Sequence, residues 1–270
     1  MAISLEILKT LREKSGAGMV DCKKALEESG GDIDKAMEIL RKQGIAKASK
    51  RSDREASEGV IKVDVSEDSK EGYIVELNTE TDFVARNEKF QQFTDEVLNI
   101  IKNNKINKVE KLLEAQMNDG NSVKNNLDNL SGVIGEKLAI KRCDILESKG
   151  TVAAYSHMGG RIGVLVALDK ENVPELARDI AMHIAAANPK YICPEEVPVE
   201  EIEKEKEIYR EQLIKEGKPE NIIDKIVEGK LNKYYGEICL IEQEYIKEDK
   251  KKVKDVLGGI KVEKFIRYSL

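Results

Sequence analysis

The sequence is poor in aromatic residues, cysteine and histidine. Tryptophan is absent and aromatic residues make up 4% of the 270 residues, so any core must be built from leucine, isoleucine and valine. The cysteines lie far apart and lack the Cys-x-x-Cys spacing of a metal site; they are Cys22, Cys143, Cys193 and Cys239. We therefore expect reduced cysteines that pack as small apolar side chains, and we expect no metal or cofactor.

Patterns for targeting and membrane insertion are also missing. Met1 to Leu8 lacks the basic and apolar regions of a signal peptide, and no run of about 18 apolar residues occurs. Acidic residues number 51 and basic residues 45, for a net charge of −6. This balance predicts a cytoplasmic protein that binds neither membranes nor nucleic acid directly. One basic stretch is interrupted by acidic residues and is interpreted as a solvated linker; it contains Lys47, Lys50, Arg51 and Arg54.

Candidate catalytic groups are scarce. His157 and His183 are the only side chains that ordinarily titrate near neutral pH. His183 falls on an alanine-rich predicted helix, which favours core packing over catalysis. His157 lies beside a Gly-Gly turn, where a partner contact and a plain turn residue both remain open. Glycine-rich phosphate loops of the nucleotide-binding types are absent, so we predict that the protein is not an enzyme. The rival interpretation is a hydrolase or transferase that uses His157.

Three short amphipathic segments begin the chain. Their apolar positions recur at helical spacing, and each segment ends at glycine. Asp32 is a suitable cap for the third helix, which we expect to end at Gly44. These patterns predict a three-helix module over 1–45, followed by a linker over 46–59.

The middle and end of the chain alternate between strand and helix patterns. A predicted hairpin is followed by helices and a third strand, and the same order of strands then helix occurs again. The order predicts an α+β protein with two related subdomains, over 60–146 and 147–270. The predicted strands are centred on Ile61–Val65, Tyr73–Leu77, Ala139–Leu146, Gly150–Tyr155, Arg161–Leu168 and Ile260–Tyr268.

A polar helical hairpin interrupts the second subdomain at about 198–236. Apolar residues there recur at coiled-coil spacing, with Glu and Lys between them, and Gly217-Lys218-Pro219 separates the two helices. The hairpin is too polar for a core element, so we expect it to project as an arm. Whether this arm pairs with a second copy, binds another protein or remains free stays open.

The segment Thr79–Val84 does not fit its neighbours. It lies between the end of a predicted strand and a predicted helix that Asn87 caps, and it places a charge beside an aromatic residue. Phe83 has two interpretations here. It fills the core, with Asp82 as a turn acceptor, or it is an exposed wedge that anchors a protein interface.

Four motifs in order along nearly the whole chain resemble bacterial translation elongation factor Ts. They are LREKSGAGMVDCKKALEESGGDIDKA over Leu11–Ala36, TDFVARN over Thr81–Asn87, YSHMGGRIGVLV over Tyr155–Val166, and FIRY over Phe265–Tyr268. The resemblance implies a guanine-nucleotide exchange factor for elongation factor Tu, acting on its GDP-bound and nucleotide-free forms. It also implies a ubiquitin-associated-like N-terminal module, two α+β subdomains and a coiled-coil arm. The alternative is a non-catalytic interaction scaffold built on the same module and arm.

The resemblance also implies roles for individual residues. Phe83 corresponds to a wedge between helices of the GTPase, and Asp82 to a group that disturbs its magnesium coordination. Thr81 and Val84 complete that element. Further implied contacts are Arg12, Met19, Val20 and His157. Val20 departs from the methionine that the family has there, which keeps the surface apolar but alters its fit.

Family members commonly continue past the Phe-Ile-Arg-Tyr strand into a helical module that contains Gly-Glu-Gly. In this sequence Ser269-Leu270 follows that strand instead. We expect this departure to affect affinity for the partner more than the mechanism.

Overall fold

The computed structural model describes residues 4–270, apart from the side chains at positions 45, 47 and 49. Residues 1–3 of the predicted module and the Lys47 side chain of the basic stretch lie outside the described part. The strands are β1 (Glu58–Val65), β2 (Glu71–Thr79), β3 (Leu138–Glu147), β4 (Thr151–His157), β5 (Ile162–Leu168) and β6 (Val262–Ser269). The α-helices are α1 (Leu5–Ser15), α2 (Met19–Glu28), α3 (Ile33–Ser49), α4 (Asp82–Ala85), α5 (Glu88–Asn104), α6 (Val109–Glu114), α7 (Val123–Ile134), α8 (Pro174–Ala187), α9 (Val199–Lys215), α10 (Glu220–Ile238) and α11 (Val253–Leu257).

The combination of helices with two small antiparallel sheets confirms the predicted α+β class. Within residues 4–270, no helix has both the length and the apolar character needed to cross a bilayer.

Helices α1 to α3 share a small core of their own. Ser4 caps α1, since its hydroxyl accepts the Glu6 N–H at 3.1 Å, and the Asp32 carboxylate accepts the Asp34 N–H at the start of α3 at 3.0 Å. Gly16 ends α1 with a φ of 68°, a conformation that glycine adopts without strain. The fully buried side chains are Leu11, Cys22, Ala25, Leu26 and Ala36. One turn of each helix therefore contributes to a core only a few side chains wide.

The third helix does not stop at Gly44, so that prediction is wrong. It continues to Ser49 because Gly44 lies against α7, where a Cβ added to Gly132 would come within 2.6 Å of the Gly44 Cα. The two helix backbones touch at this point, which only glycine allows. Gly44 is therefore a packing position and not a stop signal.

The linker over 46–59, which the sequence left open to being partly helical, stays a prediction, but its residues contact the core. It begins as helix, and the turns after it are bound to the core: Arg51 donates to the Ser131 carbonyl at 3.1 Å. Farther on, the Lys137 ammonium donates to the Arg54 carbonyl at 2.8 Å. Arg51 and Arg54 thus make internal contacts, because the backbone of α7 offers an acceptor to the first and the Glu80 carboxylate offers one to the second. The predicted domain boundaries at 45 and 59 stay predictions.

The first sheet has the order β1-β2-β3, with all pairs antiparallel. Alternate residues of β2 point to opposite faces, and both faces are buried. One face packs on α5, α6 and α7, which follow β2 in the chain. That core contains Tyr73, Val75, Leu77, Phe90, Phe93, Val97, Ile101, Leu112 and Leu127.

The second sheet has the order β4-β5-β6 and is also antiparallel. Its outer face packs on α8 and α11, around Val164, Val166, Leu168, Ala177, Ile180, Ile184 and Val253. In each half, helices separate the second strand from the third. The division into two related subdomains at residue 146 stays a prediction.

The inner faces of the two sheets pack on each other. The layer between them contains Ile61, Ile74, Leu146, Val152, Leu165 and Tyr268. The fully buried Glu76 carboxylate accepts from the Arg142 guanidinium at 2.6 Å, and that guanidinium stacks on the Tyr268 ring at 3.9 Å. A buried charge held by a partner in this way fixes the relative position of β2, β3 and β6.

Helices α9 and α10 form an antiparallel hairpin over Val199–Ile238. Its seam is apolar and contains Leu213, Ile223, Val227 and Leu231. At its root, the Glu201 carboxylate accepts hydrogen bonds from three side chains, which are Lys190, Tyr191 and Tyr234. These bonds join both helices of the hairpin to the segment that follows α8.

Candidate protein-interaction site

The segment that did not fit its neighbours in sequence forms a single helical turn after β2. Thr81 is the N-cap of α4: its backbone is extended and its hydroxyl accepts the Val84 N–H at 3.4 Å. The turn ends at Arg86, whose guanidinium pairs with the Asp82 carboxylate at 3.0 Å. Asn87 then caps α5, where its side chain accepts the Lys89 N–H at 3.0 Å. The strand therefore passes into α5 through a short helix that the sequence analysis did not predict.

Phe83 points away from the protein. It is 83% exposed, whereas Ala85 is buried and Val84 packs on the first core. In one helical turn these neighbours face inward and Phe83 faces outward. The core interpretation of Phe83 is therefore wrong. Its role as an interface anchor stays a prediction.

Two carboxylates, Glu136 and Glu80, hold the start of the turn. Glu136 follows α7 and accepts from the Thr79 hydroxyl at 2.9 Å, the Thr81 N–H at 3.0 Å and the Thr81 hydroxyl at 2.7 Å. Glu80 accepts the Lys137 N–H at 2.6 Å and the Arg54 guanidinium at 3.2 Å. The Lys137 N–H and the Arg54 guanidinium lower the pKa of Glu80, so it carries its charge at neutral pH.

The turn between β4 and β5 lies beside the first residues of β1, the end of that strand that pairs with Thr79 just before α4. The Gly160 carbonyl accepts the Ile61 N–H at 2.7 Å, and Arg161 pairs with Glu58 at 2.6 Å. The hydrogen bond to Glu58 raises the pKa of the Arg161 guanidinium, and the charge of Asp82 adds to the effect. The exposed end of this turn and α4 therefore border one edge of the molecule.

His157 lies at the start of that turn, half-buried. Its Nδ1 is 3.1 Å from the Tyr155 hydroxyl, and the two rings stack with centroids 5.8 Å apart. Next to it Met158 is 66% exposed and has a φ of 51°, an uncommon backbone conformation for a residue with a side chain. Sequence reasoning singled out His157 and passed over Met158, which is the more exposed of the two.

The predicted contacts of the N-terminal module form a second group, on α1 and α2. Arg12 is exposed in the last turn of α1, and Met19 and Val20 are 39% and 67% exposed in the first turn of α2. The turn between α1 and α2 lies against α5, because a Cβ added to Gly16 would come within 2.7 Å of the Lys89 ammonium. Lys89 is in the first turn of the helix that follows α4.

The other histidine and three of the cysteines, Cys22, Cys143 and Cys239, are buried as packing residues, while Cys193 is half-buried. His183 is fully buried, and its Nε2 is 3.0 Å from the Gln243 amide oxygen; burial lowers the pKa of its imidazole. Burial also raises the pKa of the Cys143 thiol to about 11 and that of Cys239 to about 12. Such thiols stay protonated and unreactive at neutral pH. Among residues 4–270, no group of three or more His, Cys, Asp or Glu side chains is placed to hold a metal ion.

Sequence reasoning found the exposed turn but missed what holds it. Glu136 lies 55 residues after Thr81 in the chain, at the end of another helix, so no local pattern joins them. Glu80 adjoins the motif, but its acceptor role toward the Lys137 N–H spans 57 residues, so no local pattern marks it either.

One comparison with known proteins bears on this arrangement. A family model described as Elongation factor TS matches residues 80–270, from the residue before the Thr81 cap to the last residue of the sequence. The match covers α4 to α11 and strands β3 to β6, and it leaves out the three N-terminal helices, β1 and β2. Because it spans well over half of the sequence, the chain belongs to the elongation factor Ts family.

Proposed function

We propose that this chain is a cytoplasmic guanine-nucleotide exchange factor that binds elongation factor Tu and promotes the release of GDP. The observation that carries the proposal is the exposed phenyl ring of Phe83 on a turn whose other side is anchored in the core. An exposed aromatic ring on an anchored turn is the type of side chain that dominates protein interfaces.

The proposed mechanism is binding linkage and needs no covalent chemistry. A protein that binds the nucleotide-free GTPase more tightly than the GDP form weakens GDP binding by the same factor. A thousandfold effect corresponds to about 4 kcal/mol of differential binding, which one or two interface anchors supply at about 2 to 4 kcal/mol each. Phe83 is the proposed wedge, and Asp82 the charge that disturbs the magnesium site of the GTPase.

The remaining contacts extend the proposed surface. Thr81 and Val84 hold the wedge in place, while Arg12, Met19 and Val20 on the N-terminal module touch the GTPase at a second point. His157 contacts it from the turn between β4 and β5. The exposure of Met19 and Val20 supports this division, since apolar side chains on a free helix surface favour a protein contact.

The test is the release of a fluorescent GDP analogue from elongation factor Tu. Substoichiometric amounts of this protein should accelerate release, because an exchange factor dissociates and acts again. Binding without acceleration would support the alternative, a scaffold that uses the N-terminal module and the helical hairpin to hold a client. Loss of both binding and acceleration would remove the proposal.

A further inference from the structure

The carboxylates of Glu80 and Glu136 each hold the backbone next to the other. Glu136 accepts the N–H of Thr81, the residue after Glu80, at 3.0 Å. Glu80 accepts the N–H of Lys137, the residue after Glu136, at 2.6 Å. Each carboxylate thus binds the backbone N–H of the residue that follows the other glutamate. We refer to this reciprocal pair as the carboxylate clamp.

The clamp acts where α4 lacks support of its own. A helix of four residues has too few internal hydrogen bonds to be stable alone. Thr81 caps it, and Glu136 fixes Thr81 through both its N–H and its hydroxyl. Hydrogen bonds to a charged acceptor are about twice as strong as neutral ones. The direction of Phe83, two residues later, therefore depends on Glu136.

The clamp also reaches the segment that leads to the N-terminal module. Arg54 donates to Glu80 at 3.2 Å, and the Lys137 ammonium donates back to the Arg54 carbonyl at 2.8 Å. The chain between α3 and β1 is thus bound to the same pair of segments that holds α4.

We propose that Glu136, together with Glu80, is a positioning residue for Phe83, and that the carboxylate clamp preorganises the wedge for insertion into the partner. The functional part of this inference rests on the proposed exchange activity. The structural part concerns Phe83 in the free protein and stands independently of that activity. A turn whose backbone is already ordered loses less conformational freedom on binding, which raises affinity.

The principal test is Glu136→Gln, with ¹⁹F-labelled phenylalanine as the reporter. The chain has four phenylalanines, Phe83, Phe90, Phe93 and Phe265, so the spectrum is simple and Phe83→Leu assigns its resonance. Glutamine keeps the shape of glutamate but removes its charge, so the hydrogen bonds that Glu136 accepts from Thr79 and Thr81 become weaker. The Phe83 resonance should shift or broaden, while those of the buried Phe90 and Phe93 should stay in place.

Glu171→Gln is the matched control. Glu171 also carries a charged hydrogen bond, to Lys70 at 2.7 Å, but Lys70 lies in the β1–β2 turn, at the other end of that hairpin from Thr79. Its substitution should leave the Phe83 resonance unchanged. An unchanged Phe83 resonance in Glu136→Gln, or an equal change in Glu171→Gln, would overturn the proposal.

Thr79→Val and Thr79→Ser provide a second pair of variants if Glu136→Gln fails to fold. Valine removes a hydroxyl that donates to Glu136 at 2.9 Å without touching the Thr81 cap of α4, and serine restores it, so the Phe83 resonance should move in the first variant and return in the second. Failure of serine to restore it would count against the clamp.

GDP release supplies the functional readout. Glu136→Gln should slow accelerated release by about tenfold, equivalent to about 1.4 kcal/mol. If the unsubstituted protein does not accelerate release at all, the proposed function fails while the ¹⁹F experiment still decides the clamp. If release is accelerated equally by both proteins, the positioning role fails while the exchange activity stands.

Discussion

Replacing Phe83 with alanine separates interface energy from folding energy. The side chain is 83% exposed, so its removal opens no cavity and exposes little new apolar surface. Surface substitutions of this kind change the free energy of unfolding by no more than about 0.5 kcal/mol. At about 2 to 4 °C per kcal/mol for a protein of this size, the melting temperature should change by no more than about 2 °C.

The effect on activity should be large in comparison. A wedge that fills a partner pocket is worth about 2 to 4 kcal/mol, so GDP release at a fixed low protein concentration should slow by roughly 30-fold to 1,000-fold. Phe83→Leu should retain part of the activity because leucine keeps much of the apolar volume. The assay is the release of fluorescent GDP from elongation factor Tu, read beside thermal unfolding by circular dichroism.

Phe90→Ala is the matched control on the same stretch of chain. Phe90 is fully buried in the core below α5, and truncation of such a side chain costs about 3 to 5 kcal/mol of stability. Its melting temperature should fall by roughly 6 to 20 °C. The reasoning would be refuted if Phe83→Ala lost stability on this scale, or if it released GDP as fast as the unsubstituted protein.

Three further predictions concern the framework. Gly132→Ala should weaken the packing of α3 on α7 by about 1 to 3 kcal/mol, seen as faster hydrogen exchange in α3, whereas Gly229→Ala, in open space on α10, should be neutral or stabilising. Burial lowers the pKa of His183, so the unfolded chain binds its proton more tightly; stability should be complete above the unfolded pKa of about 6.5 and fall as pH drops below it. His183→Gln should flatten that fall in melting temperature between about pH 7.5 and 5.5; an unchanged slope would contradict the assignment. Hydrogen bonds from Lys190 and two tyrosines lower the pKa of Glu201 to about 2. Protection of the hairpin root from hydrogen exchange should therefore persist above about pH 4.5 and weaken toward pH 2. In Glu201→Gln this protection should already be reduced at neutral pH.

Local patterns were enough to predict most of the strands and helices. The alternation in Ile61–Val65 and Tyr73–Leu77 marked a hairpin that the structure contains within β1 and β2, and Asn87 does cap α5. These features depend on neighbours within a few residues, so the sequence carries them directly. The helical hairpin was predicted for the same reason, since its apolar seam recurs at regular spacing.

The errors arose where distant segments decide the outcome. Gly44 looked like a helix end, but its contact partner Gly132 lies 88 positions further along the chain and keeps α3 helical through that point. Arg51 and Arg54 looked solvated because their acceptors, the Ser131 carbonyl and the Glu80 carboxylate, are not nearby in sequence. In each case a contact with a distant segment, and not the local sequence pattern, determined the structure.

The anchoring of α4 explains how an exposed phenyl ring is compatible with a stable fold. A turn of four residues gains little from its own hydrogen bonds, so its order must come from contacts with the rest of the protein. Ala85 and Val84 supply apolar contacts on the inner side, and Glu136 supplies charged hydrogen bonds at the cap. Phe83 contributes to none of these contacts, so the fold does not require phenylalanine at this position. The fold therefore leaves the identity of residue 83 unconstrained, and a need for phenylalanine there would have to come from the proposed contact with elongation factor Tu.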